Sequence, residues 1–155
     1  MPHVELDVET SLPPERIREA LLDFSERRPQ LWPDLDASQY EVYEVAETSA
    51  SVKEGSRLPG KTIWAKERYD WSDPATVRWT VTESNFCTAG SFVAATVTPR
   101  EGGGSRVHVE WERKGTTLFG RLIIRLIAVT RGKPIALSLR KAFQRMDTRE
   151  PAAPA

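Results

Sequence analysis

The sequence predicts one α+β domain: a seven-stranded antiparallel sheet, two short helices between its first and second strands, and a long C-terminal helix. Three observations carry this. Six segments of two-residue alternation, parted by turn residues, follow one another across residues 40–113. A seventh stands alone at the start, and residues 118–146 change to a helical period. The length, 155 residues, suits a single core, here expected over residues 3–147 with a disordered tail at 148–155.

His3 to Thr10 alternates Val4, Leu6 and Val8 with Glu5, Asp7 and Glu9, the pattern of a strand with one buried and one wet face. Ser11-Leu12-Pro13-Pro14-Glu15 then offers a turn, prolines tolerated in a first helical turn, and an acid favourable to the helix dipole. Ile17, Ala20, Leu21 and Phe24 follow at helical spacing. A second short helix is expected from Ser25, limited by Pro29 and Pro33. The six further strands are expected at 40–47, 50–54, 62–71, 76–83, 91–98 and 106–113, with Gly55-Ser56, Pro59-Gly60, Ser72-Asp73-Pro74 and Gly102-Gly103-Gly104 as breaks. The glycine run lacks a following Lys-Ser/Thr and helix, so it reads as a hairpin turn and not as a phosphate cradle. Leu118, Leu122, Leu126 and Phe119, Ile123, Ile127 recur every four residues along one broad stripe, which is expected to face inward. Gly132 and Pro134 should bend or break the helix before Ile135, Leu139, Ala142, Phe143 and Met146 resume the stripe.

Composition excludes several classes. With 39% apolar and 28% charged residues the chain can build a core, and Arg121 and Arg125 interrupt its most apolar stretch, so no stable membrane insertion is expected. The N-terminal residues lack the basic-then-apolar order of a secretory signal and Cys87 has no partner cysteine, which together suggest a cytoplasmic address. One cysteine and two distant histidines cannot make a zinc site of familiar spacing, and no cofactor is implied. Net charge is zero, yet residues 1–112 carry −8 and residues 113–155 carry +8. The basic segment reads as a solvated helix face, with weak, salt-sensitive contact to anionic surfaces and no specific nucleic-acid site as its expected behaviour.

The element order resembles the helix-grip fold of the START-like, or SRPBCC, superfamily, which includes polyketide cyclases, lipid-transfer domains and plant pollen allergens. Ser11-Leu12-Pro13-Pro14-Glu15, Trp32-Pro33, Glu67-Arg68-Tyr69-Asp70-Trp71 and the apolar C-terminal helix look like its cyclase-like bacterial branch. The resemblance implies a curved sheet wrapped around the C-terminal helix, with a cavity between them for a small hydrophobic molecule. It implies binding or transport of a lipid-, polyketide- or isoprenoid-like ligand, or alternatively an aromatase, cyclase or dehydratase. A third class, an interaction module using the basic helix, rests on charge alone. The superfamily shares no catalytic signature, so no catalytic residue is carried over.

Alternation assigns the inward faces. Ile63, Ala65, Glu67, Tyr69 and Trp71 share one side of their strand; Val77, Trp79 and Val81 point inward on the next, and Val107, Val109 and Trp111 on the last. On 91–98 both Val93, Ala95, Val97 and Phe92, Ala94, Thr96 fit, the valine set slightly better. The candidate cavity lining is therefore Trp32, Glu67, Tyr69, Trp79, Val93, Val109 and Trp111, with Phe119, Leu122, Ile123 and Leu126 from the helix. Core packing is the competing role for Trp79, Trp111, Leu122 and Leu126, and Trp32 either closes an entrance or caps the core. Glu67 is the one ionisable group on an otherwise apolar face, so it needs a partner. An arginine would make it structural, a ligand would make it orienting, and burial alone would raise its pKa toward use as a weak candidate acid or base. His108 lies beside outward acids and reads as a surface residue, and Cys87 lacks a histidine and reads as inert. Asp34 and Asp36 read as caps or turn residues.

Overall fold

The computed structural model describes residues 2–148. Seven strands form one antiparallel sheet in the order β1-β7-β6-β5-β4-β3-β2. They are β1 (His3–Thr10), β2 (Glu41–Val45), β3 (Ser49–Leu58), β4 (Lys61–Asp70), β5 (Thr76–Ser84), β6 (Phe92–Pro99) and β7 (Ser105–Glu112). The helices are α1 (Pro14–Leu21), α2 (Arg28–Leu31), α3 (Leu118–Val129) and α4 (Lys133–Thr148), with a 3-10 turn at Ala37–Gln39. Thr148 thus ends α4, and the expected tail otherwise lies outside the described residues. No helix among these residues is long and apolar enough to cross a membrane.

Register brings the alternating apolar sets together. Val4 faces Trp111, Leu6 faces Val109 and Val8 faces Val107 across the β1–β7 pair, so Val8, Val107 and Val109 are almost fully buried. Val93, Ala95 and Val97 point inward on β6, and Phe92 lies on the outer face beneath the Arg78 guanidinium, 3.7 Å from its ring centre. β2 is an edge strand, bulged between Val42 and Glu44, and every residue in it is exposed.

Three expectations are corrected. Gly55-Ser56 does not break the chain, because Gly55 sits inside β3 facing Trp64. A side chain there would lie 2.5 Å from the Ile63 carbonyl oxygen and 2.8 Å from Gln39 Cβ, so the glycine permits the 3-10 turn to press on the strand, where the Asp36 amide donates to the Gly55 carbonyl. The second helix begins at Arg28 instead of Ser25 and has a single turn, since the Ser25 side chain caps a turn at Arg27 and Pro33 follows closely.

The C-terminal helix breaks before Pro134, as expected, into two helices, and the third correction concerns which of them faces inward. Arg131 and Gly132 adopt left-handed φ angles of 55° and 76°, and their amides donate to the Ala128 and Ile127 carbonyls, ending α3. Glycine is required at 132: a Cβ would lie 2.5 Å from Leu6 Cδ2 and 2.8 Å from Val4 Cγ1 on β1. Pro134 then sits in the first turn of α4, where a missing amide costs little. Helix α4 packs on β1 and buries Ala142, Phe143 and Met146 in the core. Helix α3 does not enter the core as a stripe. Only Gly120 and Ile124 are buried, whereas Leu118, Leu122, Leu126 and Val129 are exposed.

Candidate functional site

The concave side of the sheet, together with α1, the α2 region and α4, borders a partly open cavity of about 260 Å³. Its sheet wall is built from the inward sets of alternating strands, among them Ile63, Ala65, Val93, Ala95, Val107 and Val109. Helix α4 supplies Ile135, Ser138, Leu139 and Phe143, which recur at three- and four-residue intervals and so share one face.

One wall is polar. Arg28, 3% exposed, extends from α2 under the end of α1. Its Nη1 donates to the Leu21 carbonyl at 2.9 Å and the Asp23 carbonyl at 3.1 Å, placing a cation where the helix dipole is negative. Its Nε donates to Glu54 Oε2 and its Nη2 to the Tyr69 hydroxyl, both at 3.0 Å, and that hydroxyl donates to Glu54 Oε1. Burial works against the Arg28 charge, but Glu54 and Tyr69 outweigh it and hold the guanidinium above its ordinary pKa. Burial, followed by the Glu54 charge, pushes the Tyr69 hydroxyl well above its ordinary value, so it stays protonated. Aromatic rings fix its position: Tyr69 stacks on Trp79 at 5.1 Å and meets Phe24 edge-on at 5.1 Å. The buried Tyr40 hydroxyl, also near Arg28 and Glu54, has no hydrogen-bond partner among the described residues.

Beside this triad lies Glu67, 5% exposed on β4. Arg113 Nη2 donates to its Oε2 at 3.4 Å, and Arg113 Nη1 reaches Cys87 Sγ at 3.6 Å. Burial raises the Glu67 pKa to about 7, the Arg113 charge opposing and the Glu54 charge assisting. The carboxyl therefore exchanges its proton near neutrality while facing an apolar chamber. No group of three or more metal-ligating side chains occurs among the described residues.

The structure sorts the sequence candidates. Trp32, Glu67, Tyr69, Trp79, Val93 and Val109 line the cavity. Trp111 does not: it is 5% exposed and packs in the core. Phe119, Leu122, Ile123 and Leu126 also lie away from it, because the break at Arg131–Gly132 gives the cavity-facing role to α4. Leu122 and Leu126 are 65% and 59% exposed. Phe119 lies under the Lys61 ammonium, 4.9 Å away. His108 is on the outer face, bonded to Asp7 and Glu5, and Asp36 caps the 3-10 turn. Arg28, Glu54 and Arg113 are not among the sequence candidates, and from α4 Ile135, Leu139 and Phe143 belong to the expected stripe without being named as lining. Alternation carries a signal for two of the charged residues: Glu54 follows Ala50 and Val52, and Arg113 follows Val109 and Trp111, each on its strand's inward phase. Arg28 has no comparable signal.

A seven-stranded antiparallel sheet with two C-terminal helices packed over it is the START-like helix-grip fold. The family model described as "Polyketide cyclase / dehydrase and lipid transport" matches residues 1–149, and the chain belongs to that family. Among solved structures it is similar to TTHA0849 from Thermus thermophilus (21% identity, TM-score 0.75, 94% of this chain and 97% of that one). It is similar also to the Zhui aromatase/cyclase from Streptomyces sp. R1128 (14%, 0.77, 97% and 96%). A third is a STAR-related lipid transfer protein fragment from Xanthomonas axonopodis (15%, 0.67, 93% and 85%). No curated protein matches the chain by sequence.

Proposed function

We propose that the protein binds a small hydrophobic molecule in the chamber between sheet and α4, with the polar wall orienting one oxygen-bearing end. The carrying observation is the chamber itself: an apolar lining in which Arg28, Glu54, Glu67, Tyr69 and Arg113 converge on one side. Its volume of about 260 Å³ lies just below the ~300–1,000 Å³ of drug-sized pockets. A molecule of one or two rings, or a short chain, fits this size better than a diacyl lipid. Native mass spectrometry after incubation with a cell lipid extract tests the reading, with anilinonaphthalene sulfonate as a fluorescent probe. Retained small apolar molecules and probe uptake support it. Ala95→Phe and, separately, Leu139→Trp should abolish uptake in folded protein by filling the chamber. No uptake by the unaltered protein would reject the reading.

A second reading, proton transfer to a bound substrate in the manner of a cyclase or dehydratase, is favoured by Glu67, whose proton is exchangeable near pH 7 inside the chamber. Under it, Glu67→Gln abolishes turnover of an identified substrate while binding persists. Under the binding reading the same substitution changes affinity or stability only.

A further inference from the structure

We propose that α3 is a docking helix that seats the protein reversibly on an anionic lipid surface, whatever the cavity holds. The observation is an apolar face that the fold leaves bare. Leu118, Leu122, Leu126 and Val129 are 86%, 65%, 59% and 71% exposed. At 100° per residue they fall within one quadrant of the helix, a row of about 17 Å at 1.5 Å per residue. Ile124 and Gly120 hold the opposite side on the protein, with Gly120 so close to the Phe86 carbonyl that a Cβ would lie 2.3 Å from its oxygen. The helix is thus apolar on nearly all sides, and four aliphatic side chains in water need a covering surface.

Charge selects the occupant. Arg121 and Arg125 flank the row on one side, and Arg131 and Lys133 follow its C-terminal end. None of the four takes part in an ion pair among the described residues; those pairs lie on the sheet, near α1 and α2, and in the cavity. No acidic residue occurs between Arg113 and Met146. A second copy packed α3 to α3 would bring Arg121 and Arg125 of both chains to one seam with no carboxylate from either helix. The segment 149–155 contains only alanine and proline as apolar types, so it offers no large apolar side chain to cover the row. A phosphate-rich headgroup layer over acyl chains meets both demands: it accepts a convex aliphatic row and supplies the missing negative charge. Because α3 abuts Phe86, itself a cavity residue, docking also brings the chamber to the bilayer.

The test is co-sedimentation with vesicles of phosphatidylcholine alone and of equal parts phosphatidylcholine and phosphatidylglycerol, at low and raised salt. The full chain should sediment with the anionic vesicles, much less with the neutral ones, and release as salt rises. Arg121→Gln and Arg125→Gln should each weaken partitioning about fivefold. Leu122→Glu with Leu126→Glu should lower it at least about tenfold, with probe uptake by the cavity unchanged. These side chains project into solvent, so circular dichroism should report the native fold in every variant. Three results would overturn the proposal: no sedimentation with anionic vesicles at low salt, equal sedimentation by the paired glutamate variant, or a wild-type dimer in light scattering that the same variant converts to monomer.

Discussion

Replacing Glu67 by glutamine should change how stability depends on pH, and the size of the change follows from its surroundings. The carboxyl is 5% exposed and its pKa stands at about 7 against an ordinary 4.5. At 3.4 Å from Arg113 Nη2, an effective dielectric of about 20 gives an attraction on the order of 5 kcal/mol. Desolvation exceeds that attraction, since the net shift is upward. A carboxyl whose pKa is raised in the folded state retains protons there that the unfolded chain releases. Its contribution is therefore fully present below about pH 4.5 and is lost as pH rises through about 7. At about 1.4 kcal/mol per tenfold change in proton affinity, the loss amounts to about 3 kcal/mol. Glutamine keeps the shape and does not titrate. The stability of Glu67→Gln minus that of the unaltered protein should thus increase by about 3 kcal/mol between about pH 4.5 and 8, whatever its starting offset. Urea unfolding at a series of pH values, extrapolated linearly, measures the difference, and titrations common to both proteins cancel. A difference constant within about 1 kcal/mol across that range would falsify the assignment of Glu67 as a buried, preferentially protonated group.

Tyr69→Phe removes a hydroxyl that accepts from Arg28 and donates to Glu54, so urea unfolding should show a loss of about 1–3 kcal/mol; an unchanged midpoint would mean the triad does not hold α1 to the sheet. Gly55→Ala forces a Cβ to 2.5 Å from the Ile63 oxygen and should cost about 1–3 kcal/mol in the same assay, whereas a neutral result would show that β3 and the 3-10 turn are not in close contact. His108 is held above its ordinary pKa, first by its hydrogen bond to Asp7. Its contribution is present at acid pH and lost as pH rises through the raised value, so the stability deficit of His108→Gln should shrink on moving from about pH 6 to pH 9. A pH-independent deficit would contradict the Asp7 pairing.

Sheet architecture was readable because alternation states two things at once, the element and its buried face. Val77, Val81, Val107 and Val109 were assigned inward on that basis and are at most 2% exposed. Glu67 stood out as a charge on such a face, and the structure supplies the arginine partner that its burial demands. The C-terminal helix shows where periodicity stops. A four-residue repeat of leucines identifies a stripe but not the layer that it meets, and α3 is apolar on nearly every side, so Leu122 and Leu126 could not be told from core. The two left-handed residues at 131 and 132 decided the matter by turning α4 inward in place of α3. Arg28 escaped notice for a different reason: a charged residue beside a proline in a short loop gives no hint that helix-end carbonyls and Glu54 will surround it. Of the polar wall, only Glu67 and Tyr69 were visible before the strands were brought together.

The edge strand β2 has a consequence for how molecules of the protein stay apart at high concentration. Its apolar residues Val42, Tyr43 and Val45 are 37%, 48% and 54% exposed, and it is one of the two strands at the margins of the sheet. Such an edge can recruit a strand from a neighbouring molecule, and natural sheets resist this with charge and with bulges. Here Glu41 and Glu44, with Glu47 just beyond, repeat a negative charge along that margin, and the bulge between Val42 and Glu44 breaks its register. Without these carboxylates the bulge would be the remaining guard. Replacing Glu41, Glu44 and Glu47 by glutamine should therefore promote sheet-to-sheet growth in concentrated protein, and a lysine placed on β2 should restore a charged margin.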